Sequence, residues 1–165
     1  MNNFQSKIQN SPKSYKLAVS GMIIALYVVI MFVTQKFAFL QYQIRIATFM
    51  YALTALFPFL IIPMGIANLI SNLAMGGLGP FDFIGGALVG MLASYLVYFI
   101  SKRNWNVWLI ALPIIFVPGL IVPIWLSYLL HIPYMVLAPS LVVGQIIPAI
   151  VGVIVVMRLK KIFTK

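Results

Sequence analysis

The run IATFMYALTALFPFLIIPMGIANLISNLAM, from Ile46 to Met75, decides the fold. It is apolar throughout and longer than the ~20 residues that one membrane helix needs. It reads either as one long helix or as a hairpin of two, interrupted at Pro58 and Pro63. Each proline disfavours helix at the residue before it, which supports the hairpin.

Charge decides between the two. Outside this run the apolar stretches are Leu17–Thr34, Phe83–Ile100, Val107–Leu130 and Tyr134–Met157. With the hairpin they make six spans, and both termini lie on one side. Lys7, Lys13, Lys16, Lys102, Arg103, Arg158, Lys160, Lys161 and Lys165 then share that side, and only Lys36 and Arg45 lie opposite. A single long helix would move every cation from Lys102 onward to the other face and abolish the bias. Cytoplasmic loops collect Lys and Arg, so the expected fold is an all-α membrane bundle of six helices with both termini cytoplasmic. Residues 1–16 and 159–165 are its basic tails, and 17–158 is the membrane domain. The first apolar stretch lacks a small-x-small cleavage site and reads as a retained span. Each arm of the hairpin is short, ~18–21 Å as α-helix against a hydrocarbon core of ~30 Å. Short, interrupted helices are where transporters build their sites.

Composition agrees. The chain of 165 residues is 64% hydrophobic and 7% charged, with a mean hydropathy of +1.12. Soluble domains carry about 25% charged residues. The net charge of +10 would suit nucleic acid, but the cations sit in short clusters between apolar runs, and no nucleic-acid partner is expected. With no Cys, no Glu, one Asp and one His, the chain offers neither a thiolate metal site nor a paired acid and base. It has no G-x-x-x-x-G-K-[ST] phosphate loop. We therefore expect no enzyme, no catalytic residue, no metal and no cofactor.

The polar residues in or beside spans carry the remaining information. Asp82, the only acidic residue, follows Gly76-Gly77-Leu78-Gly79-Pro80-Phe81 and opens a helix. It either complements the helix dipole beside a first-turn proline or accepts hydrogen bonds from a donor-rich ligand. Asn68 and Asn72, four apart, share a helix face and must meet protein or a cavity. Gln145 inside the last span allows the same two readings. Arg45 either snorkels or forks onto a carbonyl. Tyr51 and Trp125 are stacking candidates, and Trp125 also suits an interfacial aromatic belt. In the first span Ala18, Gly21, Met22 and Ala25 form a largely small-residue face suited to close helix approach. His131, in a loop before Pro133, has no partner in sequence.

The order Arg45, then Asn68-Leu-Ile-Ser-Asn72-Leu, then Gly76 to Asp82, then Gly85-Gly86, resembles the queuosine-precursor (QueT-type) S-components of bacterial energy-coupling-factor (ECF) transporters. The resemblance covers roughly residues 15–160 and is most specific from Asn68 to Gly86. It implies a bacterial cell-membrane subunit that binds a small vitamin-like molecule, a queuosine precursor by preference, at its outer mouth. Arg45, Tyr51, Asn68, Asn72, Asp82, Trp125 and Gln145 would line that site, under a lid from Gly76 to Asp82. It also implies a transmembrane coupling protein, docked on Ala18, Gly21, Met22 and Ala25, and two ATPase subunits. The chain departs from the family pattern at Thr48 and Gln145, where Glu is usual. The alternative is a self-sufficient small carrier or channel without ATPase partners.

Overall fold

The computed structural model describes residues 10–38, 44–75 and 78–163. The basic segment before residue 10, Gly76 and Gly77 of the expected lid, and Lys165 lie outside them. All regular structure among the described residues is helical. Helix α1 spans Lys13–Val33 and is followed by one turn, Gln35–Ala38. A 3-10 helix, Ile46–Ala55, comes next, then α2 at Ile61–Ala74, entered through the turn Pro58–Leu60. Helix α3 is Pro80–Lys102, α4 is Ala111–Leu130 and α5 is Tyr134–Phe163. Several ends lie beyond the expected spans. Helix α1 starts at Lys13, α3 takes Pro80 as its first residue, and α5 continues past Met157 to Phe163.

The run from Ile46 to Met75 is a hairpin. Its break is at Phe57, with φ −122 and ψ 79, an extended residue before Pro58, as the ring of a following proline requires. Pro63 is not part of the break. It sits in the first turn of α2, where the missing N–H costs no helical bond.

The first arm is a 3-10 helix rather than the expected α-helix. Ten residues at ~2.0 Å each reach ~20 Å, against ~15 Å for an α-helix of that length. Such long 3-10 runs are uncommon, and here hydroxyls reinforce the tighter winding. Thr48 sends both its N–H and its Oγ1 to the carbonyl of Arg45, at 3.0 and 2.7 Å. Thr54 Oγ1 reaches the carbonyl of Tyr51 at 2.7 Å. Poorer backbone geometry is tolerated at membrane depth only inside protein. All residues of this helix but Ile46 and Phe49 are buried, packed against α1, α3 and α5.

The bundle is layered around that helix. Helix α2 packs on α1 and α3, and α4 packs on α3 and α5. Among the described residues, four helical segments are long and apolar enough to cross a membrane: Lys13–Val33, Pro80–Lys102, Val107–Leu130 and Tyr134–Phe163. Their outward faces carry Leu17, Val33, Phe81 and Ile124, all exposed, while Thr48, Asn68, Ser71, Asn72, Ser94 and Gln145 are buried. Apolar outside and polar inside is the pattern of a protein dissolved in lipid. Pro118 and Pro123 lie within α4, and Pro139 and Pro148 within α5, as neighbouring helices in a bilayer permit.

Helix α3 begins at a special backbone position. Gly79 has φ 111 and ψ −174, a region closed to side-chain-bearing residues. Its carbonyl receives the N–H groups of Asp82 and Phe83, at 3.0 and 3.2 Å. Gly79→Ala should therefore destabilise the protein by about 1–3 kcal/mol, seen as a lower thermal unfolding midpoint in detergent. An unchanged midpoint would show that this turn readily adopts another conformation.

Candidate functional site

The polar side chains of the hairpin meet at its open end. Arg45 stands immediately before the 3-10 helix, and Asn68 and Asn72 lie on the inner face of α2. Arg45 Nη2 donates to Asn72 Oδ1, and its Nη1 approaches Asn68 Oδ1 at 3.4 Å. Arg45 is 7% exposed and the two asparagines are 2% and 0%, so the guanidinium is enclosed rather than snorkelling to water.

Both amides are fixed by what their nitrogens do. Asn68 Nδ2 donates to Tyr51 Oη and to the carbonyl of Gly86, each at 2.8 Å. Asn72 Nδ2 donates to the carbonyl of Asp82 at 3.1 Å. Turning either amide over would set oxygen against a carbonyl and nitrogen against a guanidinium. The α3 wall is close because Gly86 has no side chain. A Cβ there would lie 2.5 Å from Asn72 Nδ2 and 3.4 Å from Asn68 Oδ1.

The Asp82 carboxylate is occupied by two protein donors. Oδ2 accepts the N–H of Leu78 at 3.3 Å, and Oδ1 accepts the indole N–H of Trp125 at 3.2 Å. The first contact folds the residue before the Gly79 N-cap back onto the first turn of α3, and the second ties α3 to α4. The helix-start reading of Asp82 therefore has direct geometric support, and Trp125 acts here as a donor as well as a ring. Its outer side borders an apolar cavity of about 420 Å³, together with Pro80, Phe81, Ile84, Gly85 and Leu88.

Gln145 joins from α5. Thr48 Oγ1 lies 2.7 Å from Gln145 Oε1 and 2.7 Å from the carbonyl of Arg45. Its single proton serves one acceptor at a time. Helix α1 joins through Tyr27, whose hydroxyl is 3.2 Å from that of Tyr51. The two rings stack with centroids 6.1 Å apart and planes 16° apart.

The structure thus brings Arg45, Tyr51, Asn68, Asn72, Asp82, Trp125 and Gln145 into one connected network, with Tyr27 and Thr48 as further members. Neither of those two was a sequence candidate for the site. A signal for each was present. Tyr27 carries a hydroxyl at mid-depth of an apolar helix, which must find a partner in lipid. Arg45, Thr48, Tyr51 and Thr54 recur every third residue, the period of a 3-10 helix.

Ala18, Gly21, Met22 and Ala25 are exposed on α1, on the face opposite Tyr27. His131 ends α4 in the left-handed conformation, with φ 55, and is exposed. Among the described residues no group of three or more His, Cys, Asp or Glu could hold a metal ion.

An apolar exterior around a closed polar network fed by every helix is the make-up of an integral membrane protein. The sequence profile of the QueT transporter family matches residues 17–161. The chain belongs to that family and is a membrane transporter component, as the resemblance from Arg45 through Gly86 implied. No curated protein and no solved structure matches it.

Gly86→Ala should force the asparagines away from α3 at about 1–3 kcal/mol, the usual cost of overpacking. Thermal unfolding in detergent checks this. A neutral effect would mean that α2 and α3 separate easily at this point.

Proposed function

We propose that this chain is the substrate-binding S-component of an ECF-type, ATP-driven uptake transporter in the bacterial cell membrane. The ligand is a queuosine precursor or another vitamin-like small molecule. The observation that carries the reading is the network itself, a cluster of fixed donors and acceptors enclosed in an apolar bundle and supplied by every helix. A network that only held helices together would not need a buried guanidinium, which is expensive in lipid and generally marks a functional site. The site binds and does no chemistry, so the protein is no enzyme.

Arg45 offers its fork to a ligand carbonyl, already aimed by Asn68 and Asn72. Gln145 and Thr48 give amide and hydroxyl partners from the opposite side. Tyr51 and Trp125 give ring faces, and Asp82 is the one carboxylate available to adjacent N–H donors. Six spans with both termini cytoplasmic follow the cation distribution, with the first hairpin arm enclosed by the bundle and the second turning Ile62, Ile66, Ile70 and Leu73 outward. Helix α1 presents Ala18, Gly21, Met22 and Ala25 to a transmembrane coupling protein, and two ATPases supply the energy. Ligand binding shifts the protein toward an occluded state by its differential affinity for that state.

The purified protein alone should bind 7-deazaguanine precursors of queuosine saturably. Arg45→Lys keeps the charge but loses the fork, and Asn72→Ala loses the aim. Each should weaken binding by about 10- to 100-fold, the worth of a hydrogen bond to a charged group. Asp82→Asn should weaken it too if the carboxylate meets ligand, and should lower only stability, by a few tenths to about 1 kcal/mol, if it serves the helix start alone. Saturable binding of a different vitamin with no response to these precursors would reject the substrate. Uptake into vesicles containing this chain and no ATPase would reject the ECF class in favour of a self-sufficient carrier.

A further inference from the structure

Tyr27 is fully buried, yet it belongs to a helix with little else buried. Of α1 only Tyr27 and Met31 are fully buried, with Ile23, Ile24 and Ile30 half-buried against the core, and 11% of its apolar window is buried, against 33–44% in the other three long segments. A hydroxyl at that depth needs a partner. Its partner is Tyr51, which also receives Asn68.

We propose that Tyr27 is a positioning residue of the site, whose hydroxyl, through Tyr51, sets the orientation of the Asn68 amide that receives Arg45. Both N–H groups of Asn68 are spent, one on Tyr51 Oη and one on the Gly86 carbonyl. Tyr51 therefore acts as an acceptor toward Asn68, and its own single proton must point elsewhere. The Tyr27 oxygen, 3.2 Å away, takes it. Without that oxygen, the Tyr51 hydroxyl loses the acceptor for its proton and must re-aim, which shifts its contact with Asn68 Nδ2 and with it the amide oxygen that receives Arg45. The ring stack is a separate contact, so Tyr27→Phe removes the hydroxyl and keeps the packing.

The claim rests on the binding role proposed for this network, but one arm of its test needs no ligand. In lipid nanodiscs, the side-chain NH2 resonances of Asn68 and the Nη resonances of Arg45 are compared in wild type, Tyr27→Phe and Met31→Ala. Tyr27→Phe should shift both sets. Met31→Ala, which loosens the same face of α1 without touching a hydroxyl, should leave them in place. Tyr51→Phe should move the same signals from the other end of the relay. Unmoved signals in Tyr27→Phe, or equal shifts in Met31→Ala, would overturn the proposal.

The second arm uses a 7-deazaguanine precursor as the probe. Tyr27→Phe should weaken its binding about fivefold to tenfold, and added to Asn68→Ala it should weaken binding no further, because the two act through one path. A fully additive loss would overturn the relay. If wild type fails to bind this probe, the substrate assignment falls, and the positioning role is judged on the resonances alone.

Discussion

The guanidinium of Arg45, received by the amide oxygens of Asn68 and Asn72, is the contact around which the molecule is arranged. Lipid offers no hydrogen-bond partners, so a charge at this depth must find its acceptors within the protein. Those acceptors must be held, and the rest of the site follows from that need. Asn68 is held by Tyr51 and the Gly86 carbonyl, Asn72 by the Asp82 carbonyl, and the start of α3 by the Asp82 carboxylate between Leu78 and Trp125. Gly86 is the point where α3 comes close enough to join.

This arrangement makes the network rigid but exchangeable. Its members are mostly neutral amides and hydroxyls, whose hydrogen bonds are worth about 0.5–1.5 kcal/mol each once competing partners are counted. A ligand with a well-matched polar edge can replace several of them without leaving any group unpaired. The same economy explains the thin attachment of α1. A helix that buries only Tyr27 and Met31 fully, with Ile23, Ile24 and Ile30 half-buried against the core, can adjust its position more easily than the more deeply packed helices. Coupling between sites is reciprocal, so a partner gripping the outer face of α1 would be felt at Asn68, and a ligand at Arg45 would be felt on that face.

Much of this was legible from residue types. The hairpin follows from Pro58 and the cation bias, although Pro63 proved to be helical. The shared burial of Asn68 and Asn72 follows from their spacing, and the place of Asp82 in a first helical turn follows from Gly79-Pro80. Two features were hidden for physical reasons. The 3-10 winding is imposed by packing and by Thr48 and Thr54, and residue propensity does not separate it from an α-helix. The pairing of Asp82 with Trp125 joins residues 43 apart in the chain, a distance at which one sequence carries no pairwise signal. Tyr27 was overlooked because in an apolar span a tyrosine counts first as a ring and only second as a hydroxyl.

The hairpin also bears on how such a site enters a membrane at all. Polar side chains resist insertion, and a helix carrying several is poorly accepted. Here most of the load is distributed, with Tyr27 in α1, Trp125 in α4 and Gln145 in α5, each in a strongly apolar helix. The exception is the hairpin, which carries Arg45 and both asparagines. Their contacts with Arg45, however, lie within the hairpin itself, between the head of one arm and the tail of the other. The segment least suited to lipid thus brings acceptors for its own guanidinium with it, and calls on α3 only for the two amide nitrogens.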